Sequence, residues 1–169
     1  MTSWRALICA LLPLLWSSAA VAEPTDTAVK AAFLPRFARY VTWPASAMPK
    51  GSDPFILCVI GRDPFGAMLD DAARSQLIDG RRIVVRRLDS AAAADACHIV
   101  FLSGRTEVVS SAARPILTVT DASNGGTRGI INFVVADGRV RFFIDQRSAT
   151  QRGLSISSRL LALAVGVRQ

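Results

Sequence analysis

One histidine and three cysteines among 169 residues leave few groups from which to assemble a reactive site. Zinc centres draw three or four protein ligands from Cys, His and acids, and here the acids are dispersed. His98 follows Cys97 directly, and neighbours on a strand point to opposite faces, so the two cannot easily act as base and nucleophile. A core or sheet-face role suits His98 better. Asp70 and Asp71 are adjacent on a helical stretch and diverge, which fits a solvated face rather than a carboxylate dyad. There is no G-x-S-x-G elbow, no G-x-G-x-x-G and no P-loop with its Lys and Ser/Thr. Gly61-Arg62-Asp63-Pro64-Phe65-Gly66 occupies the place where doubly wound folds hold phosphates, but lacks those fingerprints and reads as a plain strand-to-helix turn. Nothing here supports an enzyme, a metal or a cofactor. No internal repeat or second domain is visible either.

Export chemistry, by contrast, is present at the amino end. Residues 1–22 carry one basic residue, Arg5, then an apolar run from Ala6 to Trp16, then small residues ending Ala20-Val21-Ala22. These are the n-region, h-region and A-x-A site of a secretory signal peptide cut between Ala22 and Glu23. The alternative is an uncleaved anchor, although the run is short for a bilayer span. Cys9 lies inside the apolar run, so no lipobox cysteine marks the cut. Removing 22 of the 169 residues leaves 147, enough for one domain over residues 23–169 with one core.

Two cysteines remain, Cys58 and Cys97, and in an exported protein a pair reads as one disulfide, against the alternative of two buried thiols. The formal charge falls from +7 to +6 when Arg5 is removed, and the excess is scattered arginine. In an exported chain this disfavours nucleic acid as a partner and suits an anionic membrane surface or an acidic protein face.

The strongest local pattern runs from Gly129 to Ala164. Asp137-Gly138 supplies the positive φ angles of a two-residue type I′ turn between two β-rich runs. Pairing outward predicts Ala136 opposite Arg139, Val135 opposite Val140, Val134 opposite Arg141, Phe133 opposite Phe142, Asn132 opposite Phe143 and Ile131 opposite Ile144. Ile131, Phe133, Val135, Val140, Phe142 and Ile144 then share one apolar face, and a one-residue slip would mix the faces. After Gly153, apolar residues at Ile156, Leu160, Leu163, Ala164 and Val167 predict a helix capped by Ser157 or Ser158.

Upstream, Thr25 or Asp26 caps a first helix carrying Val29, Phe33, Phe37 and Tyr40, kinked or delayed by Pro35 and ended at Trp43-Pro44. Ala45 to Asp53 is a linker. Pro54 to Ile60 suits a strand buried on both faces. Asp63-Pro64 offers a helix start, with Phe65, Met68, Leu69, Ala72 and Ala73 as its stripe. Arg82 to Leu88 predicts an edge strand with mixed faces, Cys97 to Leu102 a buried strand, Thr106 to Ala113 a brief helix and Pro115 to Val119 a further strand. A loop from Asp121 to Arg128 leads into the hairpin. Alternating strands and helices imply right-handed crossovers, and hence a three-layer α/β domain whose mostly parallel sheet is extended by a C-terminal β-hairpin and flanked by helices.

Three blocks resemble the YfiR-like family of periplasmic proteins: Val29-Lys30-Ala31-Ala32-Phe33 through Phe37-Ala38 to Trp43-Pro44; Val59 to Gly66; and Ile131-Asn132-Phe133 through Gly138 to Phe142 and on to Gly153–Leu161. The strand Cys97-His98-Ile99-Val100-Phe101 also fits. The resemblance implies a non-enzymatic repressor of the periplasmic domain of an inner-membrane diguanylate cyclase, lowering cyclic di-GMP and biofilm formation. It also implies sequestration by an outer-membrane lipoprotein, a homodimer, and a structural disulfide on Cys58 and Cys97. A further cysteine pair found in some members is absent here. Arg139, Arg141 and Arg152, basic residues flanking the apolar hairpin, are the candidate partner contacts. The alternative function is a periplasmic small-ligand-binding protein feeding another membrane signalling protein, with its site in the crevice at the carboxyl ends of the parallel strands.

Overall fold

The computed structural model describes residues 23–104, 114–122 and 128–169. The signal segment through Ala22, the helix expected over Thr106 to Ala113 and most of the loop after Asp121 lie outside them. Within them, an eight-stranded sheet carries helices on one face and a short 3-10 segment on the other.

The sheet is built around β2 (Phe55–Ile60), every residue of which is buried. β4 (Arg81–Leu88) and β5 (Ile99–Leu102) flank it in parallel, and β6 (Leu117–Asp121) and β7 (Ile131–Ala136) continue the parallel run. β8 (Arg139–Asp145) turns back antiparallel to β7, and β10 (Gly166–Arg168) lies parallel along β8 as the last strand on that side. A two-residue strand, β3 (Leu77–Ile78), ends the other side against β4. A separate two-stranded ladder joins β1 (Val41–Thr42) to β9 (Ser155–Ile156).

The hairpin register is the expected one, from Ile131 opposite Ile144 to Ala136 opposite Arg139. Asp137 and Gly138 have φ of 52° and 68°, the left-handed pair that a type I′ turn requires. The predicted apolar face is buried at Ile131, Phe133, Phe142 and Ile144, but it runs out toward the turn, where Val135 is 50% exposed.

α1 (Asp26–Phe37) starts at Thr25, whose hydroxyl accepts from the Ala28 N–H at 3.2 Å. It brings Phe33 and Phe37 against Phe133 and Phe142 of the hairpin, with ring centroids 5.4–6.4 Å apart. The α-helix stops at Phe37 rather than reaching Trp43, and a 3-10 turn over Ala38–Tyr40 follows. Pro35, two residues before the end, has no N–H to offer the Ala31 carbonyl, which weakens the last turn.

α2 (Ala67–Arg74) begins later than Asp63-Pro64 suggested, with Gly66 at its cap. Asp63 instead accepts from the Phe65 N–H at 2.8 Å, an Asx turn that competes with helix initiation. Beyond the short strands β1, β9 and β10, two further elements were not anticipated. α3 (Gln146–Gln151) follows β8 immediately, its cap being Asp145, which accepts from the Ser148 N–H at 2.8 Å. The second is β3, joined to β4 by Asp79-Gly80. The last helix, α4 (Ser158–Leu163), is capped by Ser157 as expected but ends at Leu163, and Val167 belongs to β10.

The larger core fills the space between the sheet and the helices. Phe55, Leu57 and Val59 of β2 and the inward residues of β5 to β8 pack there against Leu34 and Phe37 of α1, Leu69 of α2 and Leu160 of α4. On the opposite face a smaller cluster joins Ile56, Cys58, Ile60, Val100 and Leu102 to Ala94 and Cys97, under the 3-10 segment Ala91–Ala96. The strands between are buried on both faces, as parallel strands in a three-layer domain must be.

Candidate functional site

Cys58 and Cys97 are joined as a disulfide within the smaller cluster, closing a sequence separation of 39 residues. Cys58 is fully buried, whereas Cys97 retains 6% exposure beside a cleft of about 340 Å³ lined by Ser46, Ala47, His98 and Ile116. His98 takes a structural part. Its peptide N–H donates to the Ile56 carbonyl at 2.9 Å, and its ring Nδ1 accepts from the Ile56 N–H at 3.0 Å. The ring lies against Phe55, centroids 4.3 Å apart. Burial pushes the imidazole pKa below its ordinary value, and an N–H aimed at Nδ1 reserves that nitrogen as an acceptor.

The strand-to-helix turn after β2 is closed by acids and one arginine. Arg87 of β4 donates to Asp63 at 2.8 Å, to both carboxylate oxygens of Asp70 at 3.1 and 2.8 Å, and to the Gly66 carbonyl at 3.0 Å. Arg87 holds the Asp70 carboxyl below the usual carboxylate range, and the two acids in turn raise the guanidinium. Asp63, hydrogen-bonded to Phe65 and Arg87, therefore puts negative charge where a phosphate would have to sit. Asp71 pairs with Arg74 on the helix surface. The adjacent aspartates thus diverge as expected.

Around β6 and β7 lies a polar knot. Lys30 of α1 reaches Asp121 at 2.6 Å, with both side chains only 10% exposed. The Thr120 hydroxyl donates to Asn132 Oδ1 at 2.5 Å, Asn132 Nδ2 donates to the Gly129 carbonyl at 2.8 Å, and the Gly129 N–H reaches Thr120 and Asn132, each at 3.1 Å. Thr118 accepts from the Ile130 N–H at 3.0 Å. These buried polar groups are satisfied by one another and fix the entry to the hairpin.

Arg139 and Arg141 are exposed on the outer face of β8. Arg152 is not with them. It caps α3, the helix that follows the opposite end of β8 from Arg139. Its Nη1 is buried without a partner and burial lowers its pKa, so it is a partly enclosed residue rather than part of one basic patch. A cavity of about 610 Å³ is lined by Val41, Trp43, Met48, Phe55, Leu77 and Ile78 among others. It lies at the amino ends of β2 and β4, not in the carboxyl-end crevice. Among the described residues, no group of three or more His, Cys, Asp or Glu could hold a metal.

A family model described as YfiR/HmsC-like matches residues 27–165. The chain belongs to the YfiR/HmsC-like family. The match runs from the first turn of α1 to the residue before β10, so it takes in every part of this YfiR-like core: α1, the disulfide, the Arg87 turn and the hairpin. No curated protein matches the chain significantly. The disulfide fits an oxidising compartment, and among the described residues no helix is long and apolar enough to cross a membrane.

Proposed function

We propose that this YfiR-like protein is a non-enzymatic periplasmic regulator, exported by cleavage between Ala22 and Glu23, that binds the periplasmic sensor domain of an inner-membrane diguanylate cyclase. Bound there it represses the cyclase, lowering cyclic di-GMP and biofilm formation, and an outer-membrane lipoprotein relieves it by sequestration. It acts as a homodimer. The observation that carries this reading is the family match across residues 27–165. The commitment of His98, Asp70 and Arg87 to structural hydrogen bonds, which leaves them poorly placed for catalysis, is consistent with it. Deleting the gene should raise cellular cyclic di-GMP, and crosslinking in the cell envelope should capture a membrane cyclase. An unchanged nucleotide level together with a captured protein of another class would replace the target.

The cavity over Trp43 and Phe55 favours a second reading, in which a small ligand tunes the regulator. Its volume is that of ordinary ligand sites, and the Trp43 indole N–H at its wall is buried without a partner. A thermal-shift screen of metabolites separates the readings, because a ligand raises the melting temperature by mass action whereas no compound does so for a purely protein-binding regulator.

A further inference from the structure

The two edges of the main sheet differ. At one, β10 is three residues long and its Arg168 is paired with Asp145. At the other, β3 is two residues long and covers only Arg81 and Arg82 of β4. Ile83 to Leu88 therefore has β2 on one side and, among the described residues, no strand on the other.

The turn between β3 and β4 says which backbone groups face outward. Asp79 and Gly80 have φ of 49° and 77°, and a two-residue turn closes on a pair that exchanges hydrogen bonds. Arg81 thus directs its N–H and C=O toward β3. By the alternation of a strand's backbone groups, Ile83, Val85 and Arg87 direct theirs the same way, away from β2, where among the described residues no strand pairs with them. No turn or loop backbone among the described residues bonds to them.

The strand itself is firmly held. Val84 and Leu88 pack on the smaller cluster and Val85 on the larger. Arg87 is committed to Asp63 and Asp70. Arg82 and Arg86 are exposed on the disulfide's face, where Arg86 lies beside Cys58, and among the described residues neither has an acidic partner. An edge with unsatisfied hydrogen bonds and two uncompensated guanidinium groups has a definite complement. A second copy is a poor one, since two-fold pairing of this edge sets arginine against arginine.

We propose that the β4 edge receives an extended, acidic segment of another protein as an added strand. Its backbone pairs with Ile83, Val85 and Arg87, and carboxylates at alternate positions reach Arg82 and Arg86. This does not depend on whether the regulated protein is a cyclase.

The probe is an end-capped octapeptide alternating Val and Glu, titrated by fluorescence anisotropy, with amide NMR shifts to locate it. Saturable binding that weakens with added salt and shifts the amides of residues 83–88 supports the proposal. N-methylation of one alternate set of peptide amides should abolish binding while methylation of the other is tolerated, because only one set faces the edge. The double variant Arg82→Glu, Arg86→Glu changes two exposed side chains and should keep its melting temperature. It should lose the Glu peptide and accept the matching Lys peptide. Absence of binding at millimolar peptide, equal sensitivity to both methylation patterns, shifts centred elsewhere, or self-association through this edge would each overturn it.

Discussion

His98 and Ile56 pair twice, once through backbone and once through a ring nitrogen, so the imidazole occupies the position of a carbonyl beside the first residues of β2. A proton on Nδ1 would oppose the Ile56 N–H. With the folded pKa depressed below the ordinary 6.5, the unfolded chain takes up the proton first. The contribution is therefore complete above about pH 6.5 and declines as pH falls through that value toward the folded pKa. Melting temperatures taken between about pH 5 and 7.5 should fall on the acid side, and His98→Gln should flatten the slope.

Lys30 and Asp121 form an ion pair that is nearly sealed from water. Removing one partner leaves a buried charge, so Lys30→Met should cost about 3 kcal/mol in urea unfolding. The double change Lys30→Met, Asp121→Asn should cost less than the sum of the single changes, the sign of direct coupling.

Reduction of Cys58–Cys97 should destabilise the fold by about 4 kcal/mol on the chain-entropy model for a separation of 39 residues. Cys97, which lines the cleft, is the end of the bond at which reductant should enter. The variant Cys58→Ala, Cys97→Ala should melt at the same temperature with and without dithiothreitol, whereas the native chain should show two values.

Gly129 and Gly166 should respond unequally to alanine. A Cβ at Gly129 would sit 2.8 Å from the Thr118 carbonyl oxygen, backbone that cannot swing aside, inside the Thr120–Asn132 knot. At Gly166 the obstacle is the ring of Phe143, 46% exposed and free to rotate away. Gly129→Ala should lose about 2 kcal/mol or more in denaturant melts, and Gly166→Ala well under half of that.

Short-range chemistry was legible in the sequence. Asp137-Gly138 dictated its own turn and, through strand alternation, the whole register of β7 and β8. Asp79-Gly80 carries the same signal, and the β3–β4 hairpin could have been found from it. What hid it was length, since two paired residues at Leu77 and Ile78 make no periodic run. α3 escaped for a similar reason: Gln146 to Gln151 has one buried residue, Ala149, and so no apolar stripe, only the Asp145 cap. Val167 looked helical because three residues of strand after Leu163 keep the apolar spacing. Long-range relations left no local trace. Arg87 meeting Asp63 and Asp70, and His98 standing in for a carbonyl, follow from which strands become neighbours, and so does the separation of Arg152 from Arg139 and Arg141.

The small ladder between β1 and β9 sets Val41 against Ile156 and Thr42 against Ser155, joining segments more than a hundred residues apart in the chain. Closing so long a loop costs entropy that no early local contact repays. A chain made from its amino end cannot form this ladder until almost all of it has emerged, and the Phe33 and Phe37 side chains likewise wait for Phe133 and Phe142. An order of assembly so dependent on the last residues would keep an exported polypeptide loose during transfer across a membrane and let it compact only after release.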